Sequence, residues 1–386
     1  MIEIAPSTAQ DLSQVLHQAA SHSQRMRVIG HDSKRMMSGP VAPADIALST
    51  AKLTRILQYE PNDLTISVEA GMPLAQVQAL LANHNQMIAL DPPFLSQATV
   101  GGVIASNSSG PMRRGFGTAR DLVIGMTFAT LDGKLISTGG MVVKNVAGLD
   151  IGKLMIGSFG TLGVITSVNF RLHARPPETR TFLFSLPDLQ TAIKKRDSIL
   201  ASVLQPFAID LISPAAAIRL GFRDFLLAVR ASGSSAVLQR YSRDLSGSAE
   251  LTEGQDADFW GQVREFAPEF LARQPEGVVL RVSTTLADIP ALLRLISGPA
   301  ISRAGSGITY VYLSSWRSVP PLWTAAVQGG WIIAVEFSPD DGRNANELLL
   351  LPSMGGTTNC FAMMKKVKQM FDPQSLLNRG RLYGRI

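Results

Sequence analysis

Hydrophobic and polar positions follow two different periods along the first quarter of the chain. Residues 7–20 open with Ser and Thr and then space their apolar side chains three or four apart, which predicts a capped helix. Residues 26–30, 45–50 and 64–71 predict short strands, and residues 72–85 predict a second helix with a proline near its start. This order of elements indicates an α/β layer.

The pattern changes after Pro176 and Pro177, which mark a plausible domain boundary. Strand-like runs then alternate with helical stretches such as residues 188–200, which predicts a mainly antiparallel sheet with helices. The predicted strands of this second part lie at residues 181–186, 225–231, 277–283, 308–314 and 331–337. Together the two halves predict an α+β protein of two domains, as a length of 386 residues also suggests.

Composition narrows the possible classes of protein. Hydrophobic residues make up 46% and charged residues 17% of the chain, which excludes a disordered protein. The one cysteine, Cys360, excludes an intrachain disulfide and an iron–sulfur cluster, and we expect it to be a small buried side chain. The formal net charge of +6 is spread out, which disfavours nucleic-acid binding and suits an anionic cofactor, an acidic substrate or an acidic partner.

Targeting signals are not apparent. The N-terminus lacks a basic start followed by an apolar run, so it does not resemble a signal peptide. Residues 318–335 are the most apolar long stretch, but their Pro-Pro and Gly-Gly pairs favour a turn and a strand over a membrane span. We therefore expect a cytoplasmic protein, and membrane attachment through partners is left open.

Glycine is concentrated in one region. Of 33 glycines, 14 lie between residues 98 and 163, where A-T-V-G-G-V-I-A-S-N-S-S-G-P combines glycine with small polar groups. Such a stretch either forms tight turns only or holds a phosphate-bearing ligand against the main chain. Residues 115–120 end in arginine and depart from the dinucleotide-binding pattern, and residues 148–154 lack the spacing and Ser or Thr of a P-loop.

Four stretches together carry a resemblance to a known family. The segment at 98–111 resembles the A-T-[IV]-G-G-x-[IV]-A-x-N-x-x-G pattern of the p-cresol methylhydroxylase and vanillyl-alcohol oxidase flavoproteins. Residues 144–150 and 157–166 are similar to that group's K-N-x-x-G-x-D and G-S-x-G-T-L-G-[IV]-I-T patterns. The tail F-D-P-Q-S-L-L-N-R-G-R-L resembles its F-D-P-x-x-x-[LF]-N-P-G-[KR] ending. Within the group, the chain resembles the FAD-binding subunits of glycolate oxidase.

The resemblance implies a domain organisation. It places an FAD-binding domain of two subdomains at residues 1–176 and an antiparallel-sheet cap domain at 177–355. Residues 356–386 would return to the FAD-binding domain. It also implies FAD as cofactor, with a set of binding residues on five stretches of the chain. These residues are Gly30, His31, Asp32, Ser33, Lys34, Asp91, Pro92, Thr99, Val100, Gly101, Gly102, Asn107, Ser109, Gly110, Gly163, Val164 and Asn378.

Three departures from the family pattern bear on FAD binding. The phosphate loop at 30–34 has one glycine, Phe159 replaces an acid, and Arg379 stands where proline is usual. Some relatives attach flavin through a histidine of the phosphate loop, but His31 comes about two residues before that position. We therefore expect non-covalent FAD.

The catalytic residues remain unknown from the sequence. Oxidation of a 2-hydroxy acid needs a base and a cation for the carboxylate, and histidine is the usual base. All five histidines lie at or before His173, and the family's histidine-bearing metal pattern is missing, so no metal is expected. Polar groups on the late strands receive no catalytic role here: Arg281, Tyr310, Tyr312, Arg317 and Glu336.

Three hypotheses of function follow. The first is an FAD-binding subunit that works with a larger FAD-containing catalytic subunit and an iron–sulfur subunit to oxidise glycolate to glyoxylate, and that is not catalytic alone. The second is a self-sufficient FAD oxidoreductase of a small hydroxy acid or alcohol. The third is a cofactor-free structural subunit.

Overall fold

The fold is known from a computed structural model that describes residues 1–141, 151–339, 357–384 and 386. The K-N-x-x-G-x-D stretch at 144–150 and the predicted boundary at residue 355 lie outside the described residues. The described residues form an α+β fold with two sheet-containing domains, as the sequence predicts.

The N-terminal domain contains two principal sheets. Its strands are β1 (Ile2–Ile4), β2 (Met26–Ile29), β3 (Ile46–Ser49), β4 (Ile56–Glu60), β5 (Thr65–Glu69), β6 (Gln86–Met87), β7 (Val123–Ala129), β8 (Leu135–Gly139), β9 (Val164–Arg171) and β10 (His173–Ala174). A parallel sheet has the order β1-β3-β2, and an antiparallel sheet has the order β4-β5-β9-β7-β8. The short β6 and β10 pair separately.

Six α-helices are present among the described residues of this domain. They are α1 (Ala9–Ser21), α2 (Leu74–Ala82), α3 (Val100–Ser106), α4 (Arg113–Phe116), α5 (Ala119–Leu122) and α6 (Gly152–Met155). The first follows the sequence prediction, because the Thr8 hydroxyl accepts a hydrogen bond from the Asp11 N–H at 3.0 Å and Leu12 and Leu16 are fully buried. The third was not predicted as a helix.

The C-terminal domain is built on one eight-stranded antiparallel sheet. Its strands are β11 (Glu178–Leu186), β12 (Ala208–Ile212), β13 (Phe225–Gly233), β14 (Ala249–Thr252), β15 (Val278–Ser283), β16 (Ala300–Arg303), β17 (Ile308–Leu313) and β18 (Ile332–Phe337). The order is β14-β11-β13-β12-β16-β17-β15-β18. All five predicted strands are present, whereas the short β12, β14 and β16 were not predicted.

Helices connect these strands. They are α7 (Leu189–Leu200), α8 (Pro214–Ala217), α9 (Ser235–Asp244), α10 (Glu253–Arg264), α11 (Phe266–Arg273), α12 (Ile289–Arg294) and α13 (Val319–Gln328). The apolar stretch at 318–335 forms α13, a turn at Gly329 and Gly330, and then β18. The turn and the strand expected in this stretch are both present, and the proline pair lies in the first turn of α13, where proline is well tolerated. In the described part of the chain, no helix has the length and apolar character to cross a membrane.

The C-terminal tail packs against the N-terminal domain. Helix α14 (Thr357–Phe371) leads to the buried Asp372, whose carboxylate accepts hydrogen bonds from the N–H groups of Leu376 and Leu377. Leu377 then forms a parallel bridge with Met26 at the start of β2. Cys360 is exposed on α14, so the expectation that it is buried is wrong.

The two domains meet along the face of the eight-stranded sheet. The N–H groups of Phe94 and Leu95 donate to the carboxylate of Glu265, at 2.8 and 3.2 Å. At the β18 edge of the sheet, residues 36–38 run beside residues 336–338 and are joined to them by two backbone hydrogen bonds. This contact brings the loop after β2 next to the C-terminal sheet.

Candidate functional site

An open cavity lies where the loop after β2, helix α3, the start of β9 and the tail meet. Concave sites formed between several elements commonly bind small molecules and cofactors. It brings together eleven of the seventeen residues expected to bind FAD, from stretches that are as far apart in sequence as residues 30 and 378. These eleven are Gly30, His31, Asp32, Ser33, Lys34, Thr99, Gly101, Gly102, Gly163, Val164 and Asn378.

The loop after β2 is shaped by backbone constraints. Asp32 has a left-handed conformation (φ +55°), and its carboxylate accepts two hydrogen bonds from the Arg27 guanidinium at 2.7 and 2.9 Å. Gly30 faces Thr99 so closely that a β-carbon on Gly30 would lie 2.4 Å from Thr99 Oγ1. The one glycine of this loop is therefore required for close contact with α3.

The glycine-rich stretch is a short helix rather than an open loop. Thr99 caps α3 by accepting a hydrogen bond from the Gly102 N–H at 3.2 Å. Gly101 packs on β5, because a β-carbon there would lie 2.7 Å from the Ala70 side chain. Asn107 ends the helix in a left-handed conformation (φ +48°). The small residues of α3 thus have two roles: they allow α3 to pack closely against the end of β5, and they line the cavity.

The remaining six expected residues lie outside the cavity lining. Among them, Asp91 has a structural role: its carboxylate accepts hydrogen bonds from the N–H groups of Gly110 and Met112 at 3.1 and 3.0 Å. Burial raises the pKa of Asp91 to about 6. Val100, the first residue of α3, is buried in the core. The six are Asp91, Pro92, Val100, Asn107, Ser109 and Gly110.

Lys34 places a cation in the cavity. Its Nζ is buried and has no hydrogen-bond partner within the described residues. Burial lowers the pKa of Lys34 to about 8, and the Glu265 carboxylate partly opposes this effect. A buried amine without a partner is costly unless a ligand supplies an acceptor, so this group suits an anionic ligand.

The tail completes the cavity through Asn378 and Arg381. The Asn378 side chain accepts from the Val28 N–H at 2.8 Å and donates to the Phe159 carbonyl oxygen at 2.6 Å. The buried Arg381 guanidinium donates to the carbonyl oxygens of Met37 and Gly39 at 2.6 and 2.7 Å. Sequence reasoning missed Arg381, although it occupies the [KR] position of the terminal pattern. Other lining residues that it missed include Val28, Ile29, Thr50, Ala105, Ser106, Phe159, Gly160 and Ile165.

Histidine contributes to the cavity only through His31. Its Nδ1–H donates to the Gln97 carbonyl oxygen at 3.2 Å, which orients the ring. His173 lies on β10, where burial lowers the pKa of its imidazole. Across residues 1–141, 151–339 and 357–384, no group of three or more His, Cys, Asp or Glu side chains is arranged to hold a metal ion.

Comparison with known proteins identifies the family. Residues 2–139 match the FAD binding domain family, and residues 355–382 match the C-terminal domain of FAD linked oxidases. Glycolate oxidase subunit GlcE of Escherichia coli is 30% identical over 379 residues, which cover 98% of both chains. The chain belongs to the FAD-linked oxidase family of p-cresol methylhydroxylase and vanillyl-alcohol oxidase.

Other members of the family are similar over different lengths. Glycolate oxidase subunit GlcD of Bacillus subtilis is 28% identical over 54% of this chain and 44% of its own length. D-lactate dehydrogenase of Archaeoglobus fulgidus is 24% identical over the whole of this chain and 92% of its own. A 4-ethylphenol oxidase of Gulosibacter chungangensis shares the fold, with a TM-score of 0.73, 15% identity and coverage of 98% of this chain and 88% of its own.

The cavity residues fit the cofactor of this family. FAD carries two phosphates, and the buried Lys34 amine supplies a positive charge that makes no hydrogen bond with a described residue. Close backbone approach at Gly30 and Gly102 leaves main chain, rather than bulky side chains, facing the cavity. The buried amine and the exposed main chain are both features of this chain's own structure.

Proposed function

We propose that this FAD-linked oxidase is the FAD-binding subunit of a glycolate oxidase type complex. In such a complex glycolate, a 2-hydroxy acid, is oxidised to glyoxylate, and this chain is not catalytic alone. The observation that carries the proposal is the cavity that unites the loop at 30–34, α3 and the tail, in a chain that matches GlcE over 98% of both lengths. The proposed partners are a larger FAD-containing catalytic subunit and an iron–sulfur subunit.

In this proposal the cavity residues hold FAD without a covalent bond. Lys34 neutralises phosphate charge, and the backbone around Gly30, Gly102 and Gly163 lies against the cofactor. When bound, FAD accepts two electrons from a substrate carbon and can release them to another carrier. The chain's own contribution is to bind and orient this group.

The chain itself holds little of the chemistry for substrate oxidation. The C-terminal domain has no histidine, and the single cysteine cannot support an iron–sulfur cluster. Electrons would therefore leave through another chain. Residues 1–176, 177–355 and 356–386 remain our proposed FAD-binding, cap and returning segments, and the full set of seventeen residues remains our proposed FAD-binding set.

Purification of the chain and of its two partners tests this proposal. The visible spectrum before and after acid precipitation reports whether flavin is bound and whether it is released, as a non-covalent cofactor would be. Glycolate-dependent dye reduction is then measured with the chain alone and with the partners added. Turnover only in the complex supports the subunit, turnover by the chain alone favours a self-sufficient oxidoreductase, and failure to bind FAD leaves a structural subunit.

A further inference from the structure

Three methionines are exposed on one helix of the tail. Met363, Met364 and Met370 of α14 are 60%, 45% and 79% exposed. Met370 is the most exposed large apolar side chain in the part of the protein that the structure describes. Single exposed apolar side chains are common in soluble proteins, but three within one short stretch of a helix form a patch.

This patch also carries positive charge. Met363, Lys366 and Met370 are three and four residues apart, so they lie along one side of α14. Lys365 is exposed as well, and neither lysine forms an ion pair with a residue of the described ranges. The sequence of α14 contains no acidic residue. We call Met363, Met364, Lys365, Lys366 and Met370 the outer face of α14.

The opposite side of α14 is fixed to the N-terminal domain. Val367 and Phe371 pack against the apolar core of that domain. The buried Lys368 ammonium donates to the carbonyl oxygens of Thr161 and Leu377, at 2.7 and 2.9 Å. The helix cannot rotate to bury its methionines without breaking these contacts. The outer face therefore stays available to a partner.

The outer face also lies close to the proposed FAD cavity. Lys368 contacts Thr161, which follows the cavity residue Gly160. It also contacts Leu377, which precedes the cavity residue Asn378. An α-helix with its side chains is about 10–12 Å across, so a chain bound to the outer face would come within about one helix diameter of the cavity wall.

The chemistry of the outer face favours a protein partner over a membrane surface. Helices that lie in a membrane interface bury large side chains such as Trp, Phe and Leu in the lipid, whereas α14 directs Phe371 to the protein core. Methionine is flexible, adapts to different surfaces and is enriched at protein interfaces. Two lysines beside the methionines suit a partner that presents carboxylates.

We propose that the outer face of α14 docks the iron–sulfur subunit of the proposed complex, at a part of that subunit where carboxylates surround an apolar depression. This inference rests on the proposed function, because it requires a partner that takes electrons from the flavin. Such a partner must bind close to the cavity, and α14 alone separates the outer face from the cavity wall. Met363 and Met370 would enter the depression, and Lys365 and Lys366 would pair with the carboxylates.

Calorimetric titration of the FAD-loaded chain with the purified iron–sulfur subunit tests the apolar contact. Met363→Glu/Met370→Glu places two negative charges against an apolar and acidic surface, so we expect binding to be about tenfold weaker or more. Val203→Glu makes the same kind of change at a side chain that is 70% exposed elsewhere, and it should leave binding unchanged. FAD affinity should be the same in all of these proteins, because the substituted side chains do not line the cavity.

The dependence of binding on salt tests the charges separately. The affinity of the wild-type chain for the iron–sulfur subunit should fall as salt rises, because salt screens exposed charges. Lys365→Glu/Lys366→Glu should bind about tenfold or more weakly at low salt, and its affinity should no longer fall as salt rises. Lys194→Glu reverses an exposed lysine of α7, so it is the matched control and should behave as the wild type does.

Cys360 provides a reporter beside the outer face. It is the only cysteine of the chain, it is exposed, and it lies three residues before Met363 on α14. Binding of the iron–sulfur subunit should slow alkylation of Cys360 by a maleimide, which is measured from the mass of this chain. Met363→Glu/Met370→Glu should abolish this protection.

The outcomes distinguish the docking surface from the proposed function. A wild-type chain that binds neither purified subunit overturns the proposed function and the docking surface together. Binding of the iron–sulfur subunit that tolerates Met363→Glu/Met370→Glu and leaves Cys360 reactive overturns the docking surface alone. The docking surface is also overturned if these substitutions weaken binding only to the larger FAD-containing subunit, or only to vesicles that contain phosphatidylserine.

Discussion

The side chain of Asn378 accepts a hydrogen bond from the backbone N–H of Val28 across 350 residues of sequence. The same amide donates to the Phe159 carbonyl oxygen at 2.6 Å, so one buried side chain joins β2, the turn before β9 and the tail. Its left-handed backbone (φ +44°) is a conformation that asparagine tolerates better than most residues. This residue therefore closes one wall of the proposed FAD cavity.

Replacement of Asn378 should disrupt that wall. Asn378→Ala leaves the Val28 N–H and the Phe159 carbonyl without partners, and we expect a loss of about 2–4 kcal/mol in unfolding free energy and weaker FAD binding. Asn378→Asp is a second variant: it keeps the acceptor for Val28, but it replaces the donor to Phe159 by an oxygen and adds a buried negative charge, so it should also be destabilised. Urea unfolding and FAD titration measure both effects. Equal stability of Asn378→Ala and wild type would show that the amide does not hold the tail.

The sequence predicted elements well where local patterns and burial agree. Helix α7 begins one residue after the predicted start, because Asp188 is a true cap: its carboxylate accepts from the Thr191 N–H at 2.8 Å. Helix α3 was missed, because glycine and serine disfavour helices in isolation. Its formation depends on the Thr99 cap and on close packing of Gly101 against Ala70.

Only those site residues that lie within short sequence patterns could be predicted from the sequence. Residues 30–34 and 163–164 were predicted because they lie in recognisable stretches, and they line the candidate cavity. Arg381 was missed, because only the return of the tail brings its guanidinium to the carbonyl oxygens of Met37 and Gly39. The role of Asp91 in holding Gly110 likewise depends on how two loops pack, which no local spacing encodes.

Because Gly30 and Thr99 are in close contact, substitutions at these two residues should have non-additive effects on stability. A β-carbon at residue 30 would lie 2.4 Å from Thr99 Oγ1, so Gly30→Ala must displace either the loop or the cap of α3. We expect a cost of about 1–3 kcal/mol in unfolding free energy, together with weaker FAD binding. Because Thr99→Ala removes the clashing atom, the double variant should be more stable than the sum of the single effects implies. Additive effects in urea unfolding would contradict this contact.

Asp91 should make stability depend on pH. Burial raises its pKa in the folded chain to about 6 from 3.8, so the folded chain holds a proton that the unfolded chain releases between these values. The contribution of Asp91 to stability is therefore fully present below pH 4 and is lost as the pH rises through 6. Asp91→Asn cannot titrate, so the stability of wild type relative to Asp91→Asn should decrease from pH 4 to pH 7 in urea unfolding. A constant difference across this range would be inconsistent with a raised pKa.

Lys34 should make FAD binding depend on pH in the alkaline range. In the free protein burial lowers its pKa to about 8, so the amine loses its charge as the pH rises above that value. Phosphate oxygens beside the amine would favour the charged form, and FAD binding above pH 8 should then require uptake of a proton.

The FAD dissociation constant of the wild-type chain should therefore rise by up to about tenfold per pH unit between pH 8 and pH 10. Lys34→Met should bind FAD about tenfold or more weakly at pH 7 and should lose this pH dependence. Lys34→Arg, which stays charged throughout the range, is the matched control and should bind FAD with an affinity that is nearly constant from pH 7 to pH 10. Fluorescence titration with FAD at each pH measures the dissociation constant for all three proteins. If Lys34→Met retained the wild-type affinity and pH profile, the ammonium group would not contact the cofactor.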